Sequence, residues 1–183
     1  MNILIYSLII VATVLVDFIS KRIVVANMSI GQSIPLIEDV LHITYITNDG
    51  AAFGSLSEFR GFFMIASTVA ILGIGVYLLV RSKDFSRILG IALAMIVGGG
   101  IGNMIDRIFN GDVLGHGVVI DFIDFCAFPN LWMWIFNFAD SFVCIGAGLF
   151  IFFYIREEII NYNKSKNNAA LEETKSDDTH SND

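Results

Sequence analysis

Four long apolar runs, at residues 3–20, 61–80, 88–105 and 131–155, constrain this chain more than any other feature of its sequence. A helix needs about 20 apolar residues to cross the hydrocarbon of a bilayer, and there every backbone amide must bond within its own element. The expectation is therefore a bundle of four membrane-crossing helices. A composition 55% hydrophobic and only 16% charged, with mean hydropathy +0.71, fits a membrane protein and not a soluble domain. The first run differs from a cleavable leader: no basic residues precede it, no small-x-small cleavage site follows it, and it contains Asp17, so a retained span is expected.

The loop between the second and third runs carries Arg81, Lys83 and Arg87, which the positive-inside rule assigns to the cytoplasm. Four crossings then put both termini there, in agreement with Arg156, Lys164 and Lys166 after the last run; Lys21 and Arg22 argue the other way. Segments 21–60 and 106–130 would lie outside. Within the first of these, LHITYIT alternates and is β-branched, as a strand does, and Pro35 and the NDG at 48–50 mark turns, so a small sheet on the outer surface is expected. Residues 1–160 read as one membrane-embedded domain. Residues 161–183 read as a disordered, acidic, cytoplasmic tail. From Glu157 onward seven acids face three lysines, which accounts for −4 of the net −7, and no basic patch invites nucleic acid.

Cys126 and Cys144 lie in apolar surroundings without a CxxC, and His42, His116 and His180 are scattered. Two small buried hydrophobes, and neither a disulfide nor a metal centre, are the expectation.

The charged residues inside or beside the spans need a reason, because a charge at the centre of a span costs about 2.5–3.5 kcal/mol on insertion scales. Asp17, Asp106, Arg107 and Asp140 all fall toward the outer end of their spans. Asp17 and Lys21 are four apart on one helical face, which suits a lysine snorkelling to the interface beside its acid. Asn103 and Arg107 are also four apart, below the glycines of GGGIGNMIDR, where two helices can approach closely. Asp140 has no basic residue near it along its own run, and its counterpart is expected to be Asp121 or Asp124. If VIDFID is extended, these two face opposite ways, and periodicity does not say which of them meets Asp140. Two carboxylates sharing a poorly hydrated site cannot both ionise easily. Such a pair can hydrolyse a peptide bond, one member taking a proton from water and the other polarising the carbonyl. Membrane carboxylates also carry protons and ions, so a small proton- or cation-coupled carrier with an Asp17, Asp106 and Asp140 relay is the alternative from another class. Charges gathered at one depth favour the peptidase over the relay.

Five motifs in order, DFISK at 17–21, NDGAAFG at 48–54, GGGIGNMIDR at 98–107, VIDFIDF at 119–125 and FNFADS at 136–141, resemble the bacterial lipoprotein signal peptidase (signal peptidase II) family. The resemblance covers about residues 10–150. It implies a four-helix aspartic endopeptidase with a small extracytoplasmic β-cradle near LHITYIT and a mobile outer flap near 108–120. Its substrates would be diacylglyceryl-modified prolipoproteins, cut before the lipidated cysteine, in the bacterial cytoplasmic (inner) membrane. Carried over by motif, the catalytic aspartates are Asp121 and Asp140, with Asp124 a non-catalytic neighbour. Asn48, Asn103 and Arg107 take substrate-contacting roles, and Asp17, Lys21, Gly50, Asp106, Asn137 and Ala139 supporting ones. Neither a metal nor an organic cofactor is implied, and the expected partners are the prolipoprotein and membrane lipids, with the enzyme a monomer. Phe122, Trp132, Trp134 and Phe136 are expected as interfacial anchors. Relative to the family pattern, NGDVLGHG lengthens the flap segment and the acidic tail is extra. A factor that binds lipoproteins without cutting them is a third reading, against which the presence of both aspartates argues.

Overall fold

The computed structural model describes residues 2–49, 60–83, 86–111, 117–128 and 133–180. The apolar runs become helices α1 (Asn2–Asn27), α2 (Arg60–Val80), α3 (Arg87–Phe109) and α4 (Phe138–His180). Among the described residues, α1, α3 and the Phe138–Lys166 part of α4 are long and apolar enough to cross a membrane, and α2 contributes a shorter apolar stretch, Met64–Val80. Helix α3 is the central element. Half of its apolar window is buried, whereas α1 and α4 keep most of theirs outward, as lipid-facing helices do.

Small residues on α3 make that central position possible. A Cβ at Gly102 would fall 2.6 Å from Asp17 Oδ2 and 3.3 Å from Ala139 Cβ, so this glycine lets α1 and α4 close on α3 at one level. Gly99 does the same one turn earlier, against the Ala139 carbonyl and Val143. Ser86 caps the start of α3 by accepting from the Leu89 amide.

At the end of the bundle that carries these residues lies an antiparallel sheet of β1 (Ser33–Ile37), β2 (Leu41–Asn48), β3 (Val119–Phe125) and β4 (Ile135–Phe136), in that spatial order. Strand β2 includes LHITYIT, and VIDFID is extended, both as expected. The register places His42 opposite Asp124 and Ile46 opposite Asp121, with an extra residue of β2 bulged between Ile43 and Ile46. Val24, Tyr45, Ile120 and Phe122 form a buried apolar cluster that seats the sheet on the end of α1. A second cluster, with Tyr6, Leu78 and Leu93, closes the opposite end.

Several expectations change. The fourth run does not start its helix at 131: residues 133–137 precede α4 and include β4, which pairs Ile135 with Asp124 and Phe136 with Ile123. The flap range is shorter at both ends, since Ile108 and Phe109 finish α3 and Val119 and Ile120 belong to β3. The Gly117 and Val118 amides bond back to the Arg107 and Asn110 carbonyls, and 112–116 lie outside the described residues. The backbone of α4 stays helical to His180, where disorder was expected; Ala169, Ala170, Leu171, Glu172 and Glu173 are strong helix formers that let it continue. Phe122 is not an interfacial anchor but part of the buried cluster, 5.9 Å edge-on from Phe138. Trp134 is exposed, and Trp132 lies outside the described residues. Neither cysteine is a buried hydrophobe: Cys144 is exposed along a groove and Cys126 half-buried at the end of β3.

Candidate active site

The site is built outward from a lysine. Lys21 is not snorkelling: it is only 1% exposed, and its ammonium reaches Asp17 Oδ2 and Asp106 Oδ2, each at 2.8 Å, and donates to Asn103 Oδ1 at 3.0 Å. Three oxygens from two helices thus surround the ammonium, two of them in ion pairs. The two carboxylates it neutralises do structural work of their own. Asp17 Oδ1 accepts from the Ala139 amide at 2.9 Å, fixing the first turn of α4 to α1. Asp106 accepts from the Ile120 amide at 3.2 Å and from Asn110 Nδ2 at 2.9 Å, tying α3 to β3.

The lysine also decides which way Asn103 points. Asn103 Oδ1 accepts from Lys21 and, at 3.0 Å, from Asn137 Nδ2, so its amide nitrogen can only face the other way, where it donates to Asp140 Oδ1 at 2.7 Å. Asn137 is the N-cap of α4. Its Oδ1 accepts from the Asp140 amide at 2.9 Å, and Asp140 Oδ2 accepts from the Asn137 amide at 3.3 Å, a reciprocal capping box with an aspartate in the third helical position. The same Asn137 Nδ2 donates to Asp121 Oδ1 at 2.7 Å. One residue thus holds both carboxylates, Asp121 through its side chain and Asp140 through its backbone amide, at the positive end of the helix.

Asp121 is 1% exposed, with Asn48 Nδ2 donating to its second oxygen at 2.9 Å. Burial pushes its carboxyl up to about 6, and the neighbouring Asp140 charge adds to this; the amides of Asn48 and Asn137 oppose it. Asp124 points elsewhere, accepting from Thr44 Oγ1 at 2.7 Å. The ambiguity left by strand alternation is thereby resolved: it is Asp121 that shares Asn137 with Asp140.

Asp140 is only half-buried and opens on a groove of about 460 Å³ between α2, α3 and α4, lined also by Ser67, Ile71, Met104, Arg107 and Val143. Arg107 takes part in no ion pair among the described residues and lies along the groove wall. Gly50 lies outside the described residues. The others assigned by motif, Asp17, Lys21, Asn48, Asn103, Asp106, Asp121, Asn137, Ala139 and Asp140, form one connected hydrogen-bonded set. Sequence reasoning missed Asn110, which braces Asp106 and accepts from Arg22 at 3.2 Å, and the capping role of Asn137, whose signal was the N-F-A-D spacing.

Residues 9–156 match the family model described as Signal peptidase (SPase) II. A lipoprotein signal peptidase of Halalkalibacterium halodurans is 40% identical over 155 residues, 85% of this chain and 94% of that one. One of Shouchella clausii is 42% identical over 148 residues, 80% and 88% of the two chains. Two solved bacterial membrane enzymes superpose with TM-scores of 0.68 and 0.71 at 34% and 33% identity, covering 80% and 84% of this chain and 90% and 88% of theirs. With the match running through all four helices and the sheet, the chain belongs to the signal peptidase II family.

Proposed function

We propose that this membrane peptidase removes signal peptides from prolipoproteins by aspartic chemistry, with Asp121 and Asp140 as the catalytic pair. The observation that carries the reading is the shared Asn137: it joins a buried carboxyl raised to about 6 to a second one that opens on a groove. In the working form Asp121 keeps a proton and polarises the scissile carbonyl, while ionised Asp140 takes a proton from water. The water oxygen bonds to the carbonyl carbon. Collapse of the tetrahedral intermediate breaks the C–N bond, and the proton held by Asp140 leaves with the amine.

Asn48 and Asn103 each hold one aspartate, so orienting the pair is the role their contacts support, beside the substrate contact expected from motif. Arg107, on the groove wall, is the candidate for meeting the substrate backbone or a lipid ester. The substrate would be a diacylglyceryl-modified prolipoprotein cut before its lipidated cysteine. Its signal helix lies in the membrane and its scissile bond at the surface, so the enzyme needs its carboxylates where the sheet meets the bundle. We place this end outside, with four crossings and both termini cytoplasmic. The contrary vote of Lys21 and Arg22 loses weight because Lys21 is spent on Asp17 and Asp106, and Arg22 leans toward Asp106 at 3.8 Å.

The test is cleavage of a diacylglyceryl-modified prolipoprotein by purified protein in detergent. Asp121→Asn and Asp140→Asn should fold and lose turnover, and Asp124→Asn should keep it. An active Asp121→Asn enzyme with a dead Asp124→Asn would move the pair by one acid. Wild type that binds substrate and never cuts it would mean a binding factor.

A further inference from the structure

On β2 and β3, three residues from Asp121 along the strand, the register brings together groups that stand far apart in the chain. His42 is the direct cross-strand partner of Asp124, and Cys126 follows Asp124 by two, on the same face of an extended chain. A ring nitrogen of His42, a carboxylate oxygen of Asp124 and Cys126 Sγ lie within 4.8 Å of one another. The histidines are scattered along the sequence, and the cluster was not legible there because strand pairing, not sequence spacing, makes the neighbours.

The surrounding contacts leave ligand atoms available. His42 Nδ1 is 3.5 Å from Ser33 Oγ, and its Nε2 is buried with no hydrogen-bond partner among the described residues, a costly state for a ring nitrogen. Asp124 Oδ2 is held by Thr44 Oγ1 at 2.7 Å, and Thr44 is in turn 2.7 Å from Ser33 Oγ. Its other oxygen is engaged by no described residue. Ser33 and Thr44 thus stand where outer-shell partners of a metal ligand stand, fixing the ring and the carboxylate from behind. Nitrogen, oxygen and sulfur donors from three residues suit zinc, with a fourth position left for water. Donors bound tetrahedrally at about 2.0–2.3 Å sit roughly 3.3–3.8 Å apart, so rotation of these side chains by about 1 Å closes the site.

We propose that His42, Asp124 and Cys126 bind a single zinc ion on the face of the sheet opposite Asp121. The ion would clamp β2 to β3 next to the bulge, stiffening the strand that presents Asp121 without touching the carboxylate pair. This site is independent of the peptidase chemistry and stands or falls separately.

Tag-free, full-length protein in detergent, stripped of metal, is titrated with Co²⁺ as a spectroscopic substitute for Zn²⁺. The expected result is a thiolate-to-cobalt charge-transfer band with the visible bands of a four-coordinate ion, saturating at one ion per chain and displaced by Zn²⁺. Cys126→Ser should abolish the charge-transfer band, His42→Ala should weaken binding at least about tenfold, and Cys144→Ser should change neither. Zn²⁺ should raise the thermal transition of the wild type by several degrees and leave that of Cys126→Ser unmoved, which also shows that the variant folds. A missing band in folded wild type, or one that survives Cys126→Ser, overturns the proposal.

Discussion

Lys21 illustrates how a single residue outweighs its sequence neighbourhood. Its four-residue spacing from Asp17 was legible, but the partnership with Asp106 and Asn103 was not, because those residues arrive on another helix. Removing one partner of a buried charge cluster costs about 3–5 kcal/mol, since the remaining charges stay uncompensated. Lys21→Met should therefore lower the thermal transition steeply, and adding Asp106→Asn should recover part of the loss; thermal scans of the single and double variants check this. Activity should not recover with it, because Asn103 would still lack the contact that turns its amide toward Asp140. The choice between Asp121 and Asp124 was illegible for a related reason. Alternation separates them onto two faces, but only Asn137 and Asn48, from other elements, show which face is the site.

The carboxyl of Asp121 gives a second prediction at the same scale. Its folded value, about 6, lies above its ordinary 3.8, so the folded state binds the proton more tightly than the unfolded chain does. The stabilising protonated form is fully present below the ordinary value, and that contribution is lost as pH rises toward about 6. Asp121→Asn cannot titrate. Its stability relative to wild type should therefore climb between about pH 4 and 6 and level off above, whatever the pH-independent effect of exchanging the hydrogen bonds. Denaturation of both proteins across that range reads the difference directly. Turnover of the wild type should fall over the same proton loss, as the singly protonated pair empties on the alkaline side of about 6.

Among the elements, α4 was the least legible and is the most instructive. The stretch before it is apolar enough to read as helix, and a short apolar run does not distinguish a helix from a strand by period. What starts the helix is local chemistry, the reciprocal cap of Asn137 and Asp140, and this same cap is half of the proposed catalytic geometry. Long runs such as α1 and α3 were legible because lipid leaves the backbone no alternative to a helix. The contact of α4 with its neighbours rests on the glycines of α3. At Gly102 an added methyl would press on Asp17 Oδ2 and Ala139 Cβ, so Gly102→Ala should cost about 1–3 kcal/mol of stability. It should also cut turnover by more than the stability loss explains, since Asp17 holds the Ala139 amide one residue before Asp140. Comparing the fraction folded with the turnover of the folded fraction separates the two effects.

At the scale of the whole molecule, charge is distributed so that each end of the bundle has its own sign logic. The described ionisable groups of the site, Asp17, Lys21, Asp106, Asp121 and Asp140, are mutually bonded or capped beside the sheet. Arg81, Lys83 and Arg87 crowd the other end, where α2 meets α3, and Arg156 lies on the part of α4 that leaves the bundle there, whereas Arg22 and Arg107 stand at the site end. An excess of Lys and Arg in short loops near span ends sets orientation, and the α2–α3 loop carries three in seven residues, so this end should face the cytoplasm. In cells whose outer face alone is open to protease, an epitope after Asp183 should survive, and in inverted vesicles it should be removed. Replacing Arg81, Lys83 and Arg87 together with Gln should produce a fraction of molecules whose epitope is lost from the outside, and that fraction should be inactive. Epitope loss from the outside in the unaltered protein would mean that the bundle is inserted the other way round, with the carboxylate pair on the side where lipoprotein precursors are made and not where their signal peptides end.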